Sequence, residues 1–194
     1  MAPDIIQPDT FKRRGPPRLV LFSGPPGVGK SSLSYRLARQ TGWSIFPKDQ
    51  FDRSLQRLNL GNYPRFTAYE MMFDLVELNL RNRVSVILDA VFPIENFRYQ
   101  AKDLTEQCGA EFFAIVCYCS DHALWRKRLE NRPEMVRGWI PAGWGEALQV
   151  ESYYQAWTLP HLYLDAVHPF DHNFKTLLDY VLPNSNFEDV VVEA

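Results

Sequence analysis

The segment LFSGPPGVGKSS, residues 21–32, sets three glycines, two prolines and a lysine directly behind an apolar run, and it constrains the chain more than any other feature. Residues 19–22 are branched or aromatic and read as a short buried strand. Leu33, Leu37 and Ala38 then recur at helical spacing over 31–41. The glycines therefore fall in a strand-to-helix turn. In that context G-x-x-x-x-G-K-S has a physical use: Gly24, Gly27 and Gly29 let backbone N–H groups converge on an anion at the positive end of the helix. The cradle runs over Gly24, Pro25, Pro26, Gly27, Val28, Gly29, Lys30, Ser31 and Ser32. Lys30 would reach the β- and γ-phosphates of a nucleoside triphosphate, and the Ser31 hydroxyl a Mg²⁺ ion.

Composition is compatible with this reading and excludes others. A chain of 194 residues, 46% of them hydrophobic, is of a size for one α/β domain with a substantial core. The formal charge of −2 is spread without a long basic block, which argues against a broad nucleic-acid surface. No apolar run approaches membrane-spanning length and residues 1–18 carry no signal-peptide core, so a soluble, cytoplasmic protein is expected, with no membrane contact. Cys108, Cys117 and Cys119 are an odd set, two of them alternating along the apolar run FFAIVCYC, and read as reduced thiols rather than a zinc site.

Strand-like and helix-like segments alternate along the chain. WSIFP is a short apolar run, and DQFDRSLQRLNLG reads as a helix closed by Gly61. FTAYEMMFDLVELNLRNR suits a long amphipathic helix leading into the strand VSVILD, which ends at Asp89. A helix stopped by Gly109 follows, then the strand AEFFAIVCYC, then the helix DHALWRKRLENR with Asp121 as its N-cap. LYLDAV is the last strand and HNFKTLLDYVL the closing helix. Such alternation predicts a parallel sheet covered by helices on both faces, with a site at the carboxyl ends of the strands. Residues 18–182 form the expected domain, 1–17 an amino-terminal arm and 183–194 a tail, both loosely attached.

Three further groups carry chemistry. Asp89 ends an apolar strand, where a carboxylate can hold Mg²⁺ beside the phosphates or merely make a turn. Asp49, just past the second strand, either faces an acceptor hydroxyl as general base or caps a helix beginning at Gln50. Arg128 and Arg132, four apart on one helix face, either converge on phosphate oxygens or form a solvated cationic face. Beyond them Gly138, Gly143 and Gly145 interleave with Trp139 and Trp144, the character of a cover over the site at about 132–147. His168 and His172 have the spacing of a helical metal pair, but Pro169 between them opposes a continuous helix.

With these residues in place, the chain resembles the P-loop kinases of the zeta-toxin, chloramphenicol phosphotransferase and polynucleotide-kinase type, often labelled AAA-domain ATP-binding proteins, over residues 19–132. The family's KD element is matched by Lys48 and Asp49, its VILDATF strand by VILDAVF, the Arg that follows by Arg98, and the R-x-x-x-R of its lid helix by Arg128 and Arg132. The resemblance implies a P-loop NTPase three-layer α/β sandwich with a mostly parallel five-stranded sheet and a small lid. It also implies ATP and Mg²⁺ as cofactors, Asp49 as base, Asp89 as metal or acceptor contact, and the arginines as a phosphate clamp. Val91 stands where the family often has Thr, and Arg53 lies one position later than the corresponding Arg of nucleic-acid kinases, which speaks against a polynucleotide acceptor. No N-K-x-D, no D-x-x-G after Asp89 and no L-S-G-G-Q is present, so guanine recognition, a GTP switch and a transporter ATPase are not expected. The expected activity is phosphoryl transfer from ATP to a hydroxyl of a small molecule. That acceptor would lie against residues 49–69, with Asp49, Phe51, Tyr63, Phe66 and Arg98 in contact; the alternative is an ATP-binding regulatory protein.

Overall fold

The computed structural model describes residues 15–58, 64, 66–131 and 142–183. In chain order the elements are β1 (Arg18–Ser23), α1 (Lys30–Thr41), β2 (Ser44–Pro47), α2 (Lys48–Arg57), α3 (Thr67–Arg81), β3 (Val86–Asp89), α4 (Glu95–Gln107), β4 (Glu111–Tyr118), α5 (His122–Glu130), α6 (Trp144–Ser152), β5 (Leu162–Asp165) and α7 (Phe170–Val181). All strand pairs are parallel and the sheet order is β2-β3-β1-β4-β5.

The strands are apolar on both faces because both faces are covered. Side-chain direction alternates along a strand. Val20, Phe22, Ile87, Ile115, Cys117 and Leu164 thus pack with Leu33, Leu37, Trp125, Phe174 and Leu177 from α1, α5 and α7. Leu19, Leu21, Val86 and Leu88 point the other way, onto Met72, Phe73, Val76 and Leu80 of α3 and Phe97 and Ala101 of α4. Those two cores make the three layers.

Local signals mark several boundaries. The Asp121 carboxylate accepts the Leu124 N–H at 3.0 Å and caps α5. Past the end of α4, Gly109 takes the left-handed conformation at φ 61°. Two expectations need correction. Helix α2 starts at Lys48 with Pro47 at the N-cap, so Asp49 lies inside its first turn and is not a cap; the KD pair begins the helix because Pro47 ends β2 in extended geometry. The other concerns α6, which had no counterpart in the sequence reading. It takes in residues 144–147 of the expected cover, and Ala147 is fully buried in the core. Residues 132–141 of that cover, with Arg132, Gly138 and Trp139, lie outside the described residues, as do Gly61 and Tyr63.

Register places the site. Asp89 at the end of β3 pairs with Phe22 on one side and Pro47 on the other. The carboxyl ends of β1, β3 and β2 therefore stand level, and the segments leaving them (24–29, 90–93 and Lys48 onward) open on the same edge of the sheet.

Candidate active site

The phosphate loop is held by backbone packed against its neighbours. Gly24 has φ 133°, and a Cβ there would sit 2.0 Å from the Cys117 carbonyl oxygen of β4. Gly27 has φ 83°, and a Cβ there would meet Leu129 Cδ1 at 2.1 Å. Neither position has room for a side chain. Trp125 donates its indole N–H to the Pro26 carbonyl at 2.7 Å, so α5 supports the loop from outside. At the start of the loop the Gly24 N–H reaches the Val91 carbonyl at 3.1 Å, which ties it to the segment after β3.

Helix α1 then begins with no side-chain cap and no acid in its first turn, leaving its positive end open to an anion. Lys30 is almost completely buried, and its ammonium donates to the Pro25 carbonyl at 2.8 Å, across the mouth of the cradle. Asp89 is 5% exposed. Burial pushes its carboxyl above the usual range and the nearby Asp49 charge adds to this, while Lys30 and hydrogen bonds from the Ser31 and Ser34 hydroxyls oppose it. The Ser34 bond measures 3.1 Å. Ser31, Ser34 and Lys30 share one face of α1, which is why all three meet the same carboxylate.

On the other side of Asp89, the exposed Asp49 stands in the first turn of α2. Its charge acts on Tyr35 as well as on Asp89. Tyr35, on α1, hydrogen-bonds Gln50 and joins the two helices beside the carboxylates; burial is the main reason its hydroxyl is raised. Lys48 pairs with Asp52 at 2.6 Å and lies 5.1 Å from the Tyr69 ring centroid. Behind this pair stands an aromatic wall in which Tyr69 stacks on Phe97 at 4.5 Å and Phe66 tilts against Phe97 at 4.9 Å.

The structure thus brings Lys30, Ser31, Asp89 and Asp49 together. Phe51 is half-buried against the α3–α4 core. Arg128 points elsewhere, donating to the Ala166 carbonyl beyond β5 at 2.6 Å.

Arg98 requires the largest correction. It is 1% exposed and bonds four carbonyl oxygens, those of Phe92, Pro93, Gln155 and Ala156. Its guanidinium plane lies 4.9 Å from the Tyr154 ring and 4.4 Å from the Trp157 ring. Four of its five N–H donors go to these carbonyls and Tyr154 takes a further side-chain bond, so the guanidinium is committed to holding these segments together.

Sequence reasoning missed Ser34, Tyr35, Trp125 and Tyr154. The first two carried a signal in their helical spacing, Ser34 four residues from Lys30 and Tyr35 four from Ser31. Trp125 and Tyr154 carried none, because their partners at Pro26 and Ser23 are about a hundred residues or more away in sequence.

The His168 and His172 rings stand 5.4 Å apart at the start of α7, and no metal-binding cluster of three or more His, Cys, Asp or Glu occurs among the described residues. The three cysteines are free, and burial pushes the Cys117 thiol up to about 12. No described helix is long and apolar enough to cross a membrane.

A family model described as an AAA domain matches residues 19–137. The chain belongs to that family. Among solved structures, a sugar kinase from Janibacter sp. HTCC2649 superposes with TM-score 0.65 at 16% identity, over 91% of this chain and 96% of that one. The Mycobacterium tuberculosis APS kinase CysC in complex with AMPPNP and APS gives 0.62 at 22% identity, over 86% and 99%. Chaetomium thermophilum Kti12 in complex with ADP-AlF3 gives 0.63 at 18% identity, over 84% and 98%. At these identities the likeness establishes the fold, which is that of the P-loop kinases. No curated protein matches the chain.

Proposed function

We propose that the protein is an ATP-dependent phosphotransferase that acts, with Mg²⁺, on a hydroxyl of a small-molecule acceptor. The observation that carries this reading is the register of β1, β3 and β2. It sets Lys30 and Ser31 on one side of Asp89 and Asp49 on the other, which supports reading the first pair as nucleotide-holding and Asp49 as acceptor-facing.

The residues fit the cofactors. Gly24 and Gly27 let the loop backbone pack directly against Cys117 of β4 and Leu129 of α5, and the uncapped end of α1 with the buried Lys30 suits a polyphosphate. The Ser31 hydroxyl and the Asp89 carboxylate are oxygen donors of the kind Mg²⁺ takes, Asp89 directly or through water. When bound, ATP and Mg²⁺ supply the phosphoryl group and the charge that neutralises it.

The chain's own residues do the rest. Lys30, which donates to the Pro25 carbonyl, would hold phosphate oxygens when ATP is bound, and its charge opposes the effect of burial on Asp89. Asp49 accepts the proton of the acceptor hydroxyl, and Tyr35 with Gln50 steadies the helix that carries it. Lys48, Asp52 and the Tyr69 side of the pocket orient an acceptor. The sugar kinase and APS kinase among the structural relatives support a small-molecule acceptor.

The test is a screen of hydroxylated metabolites and antibiotics for acceptor-dependent ADP release above water hydrolysis. A phosphorylated product is the expected result. ATP binding with no acceptor response, and with ADP release governed instead by a protein partner, would replace this reading with that of a nucleotide-binding regulator.

A further inference from the structure

The segment after α6 reaches back to the residue that precedes the phosphate loop. Ser23, the last residue of β1, is fully buried, and its hydroxyl donates to the Val91 carbonyl at 2.8 Å. Directing the one Ser23 hydrogen at the Val91 carbonyl, the nearer of two carbonyls in reach (that of Phe92 is at 3.5 Å), makes the tyrosine the donor in the bond between Tyr154 Oη and Ser23 Oγ. Tyr154 Oη in turn accepts the Trp157 indole N–H at 3.1 Å. The bonds therefore run one way, from Trp157 through Tyr154 and Ser23 to Val91, and each polarises the next. Val91 is also the residue whose carbonyl receives the Gly24 N–H.

Both ends of this relay are fixed. Arg98 bonds carbonyls on the 92–93 side and the 155–156 side and faces the Tyr154 and Trp157 rings, so the two segments cannot slide apart. Phe92 holds a left-handed φ of 46° with its N–H on the Tyr69 hydroxyl, which locks the turn that presents Val91. Gly24, next in the chain to Ser23, already touches the Cys117 carbonyl with no space to spare. A shift of Ser23 must then pass into the loop.

We propose that Tyr154 is a positioning residue for the phosphate loop: through Ser23 and Val91 it sets where the backbone N–H groups of the cradle point. This rests on the reading of the loop as a nucleotide cradle.

Tyr154→Phe removes the relay hydroxyl, and with it the side-chain bond to Arg98, and keeps the ring against the guanidinium. In the nucleotide-free protein, amide hydrogen exchange at Gly24, Gly27, Val28 and Gly29 should quicken by about three- to tenfold, the scale of one hydrogen bond, with the rest of the sheet unchanged. ADP affinity by calorimetry should fall by a similar factor of roughly three to ten. Ser23→Ala should reproduce both effects, and the double variant should be no worse than Ser23→Ala alone, because the two side chains act through one bond. Additive effects, no change at the loop, or exchange quickened evenly across the sheet would each overturn the proposal, the last by showing that Tyr154 only supports the fold. Should Tyr154→Phe fail to fold, Trp157→Phe, which removes the indole donor to the tyrosine and part of the ring over Arg98, decides by the same local-against-global exchange. A parent protein that binds no ADP would overturn the nucleotide reading; the exchange measurement would still decide whether Tyr154 positions the loop.

Discussion

On one side of Asp89 the site is backbone wedged between other elements; on the other it is side chains on the rim of a helix. The phosphate loop is boxed in by the Cys117 carbonyl, Leu129, Trp125 and Val91, so its shape is set before anything binds. Asp49, Arg53 and Gln50 project from the first turns of α2, restrained by Tyr35, the Lys48–Asp52 pair and the bond from Arg53 to Gln50. The difference suits the proposed ligands. A triphosphate presents the same oxygens whatever the acceptor, and backbone N–H groups recognise it without side-chain choice. An acceptor is recognised by side chains, which can be exchanged without disturbing the fold.

This contrast is most sharply broken by pairing two variants. Asp49→Asn should lower acceptor phosphorylation by ~10²–10⁴ with ATP affinity unchanged, because the amide keeps the size and loses the basic oxygen. Lys30→Met should lower turnover by a comparable ~10²–10³ and weaken ATP binding as well. Steady-state kinetics with calorimetry reads both. If Asp49→Asn costs ATP affinity and not turnover, the two sides of Asp89 have been assigned the wrong way round.

Arg98 tests the boundary between the two sides. Arg98→Lys keeps a charge but cannot reach four carbonyls, and the resulting unpaired groups should cost about 3 kcal/mol of stability, read by chemical denaturation. A variant as stable as the parent with impaired turnover would return Arg98 to a role at the substrate.

The smallest effect expected is a gain. Burial raises the carboxyl of Asp89 in the fold above its unfolded value, so the native state favours the protonated form and stability is lost as pH rises through the folded pKa. Asp89→Asn should therefore melt higher than the parent near neutral pH without nucleotide, and the gap should close as pH falls and the parent's carboxyl is protonated. The same variant should lose its normal Mg²⁺ dependence. A melting point lowered at every pH would mean that the bonds from Ser31 and Ser34 outweigh the burial of charge.

The sequence showed the phosphate loop, the strand carrying Asp89 and the βα alternation, since each is a local pattern: glycines at fixed offsets, an apolar run, a helical period. It also placed Asp49 just after a strand, but whether that residue capped α2 or faced the site depended on where Pro47 ended β2, a matter of one or two residues. Arg98 was misread for a different reason. An arginine behind a strand-end carboxylate looks the same in sequence whether it meets phosphate or carbonyls, and the carbonyls that claim it belong in part to residues 155 and 156.

What the chain determined by itself is therefore everything that one turn or one strand can encode: the three loop glycines, the open start of α1, a carboxylate at the end of β3 and another just past β2. Tertiary structure alone decided that these ends stand level, through the β2-β3-β1 register, and that Trp125 and Tyr154 brace the loop from positions 99 and 131 residues away along the chain. The physical reason lies in the range of the forces. Backbone preference and hydrophobic period act over a few residues, whereas a buried hydroxyl or guanidinium takes whatever acceptor the packed core brings to it.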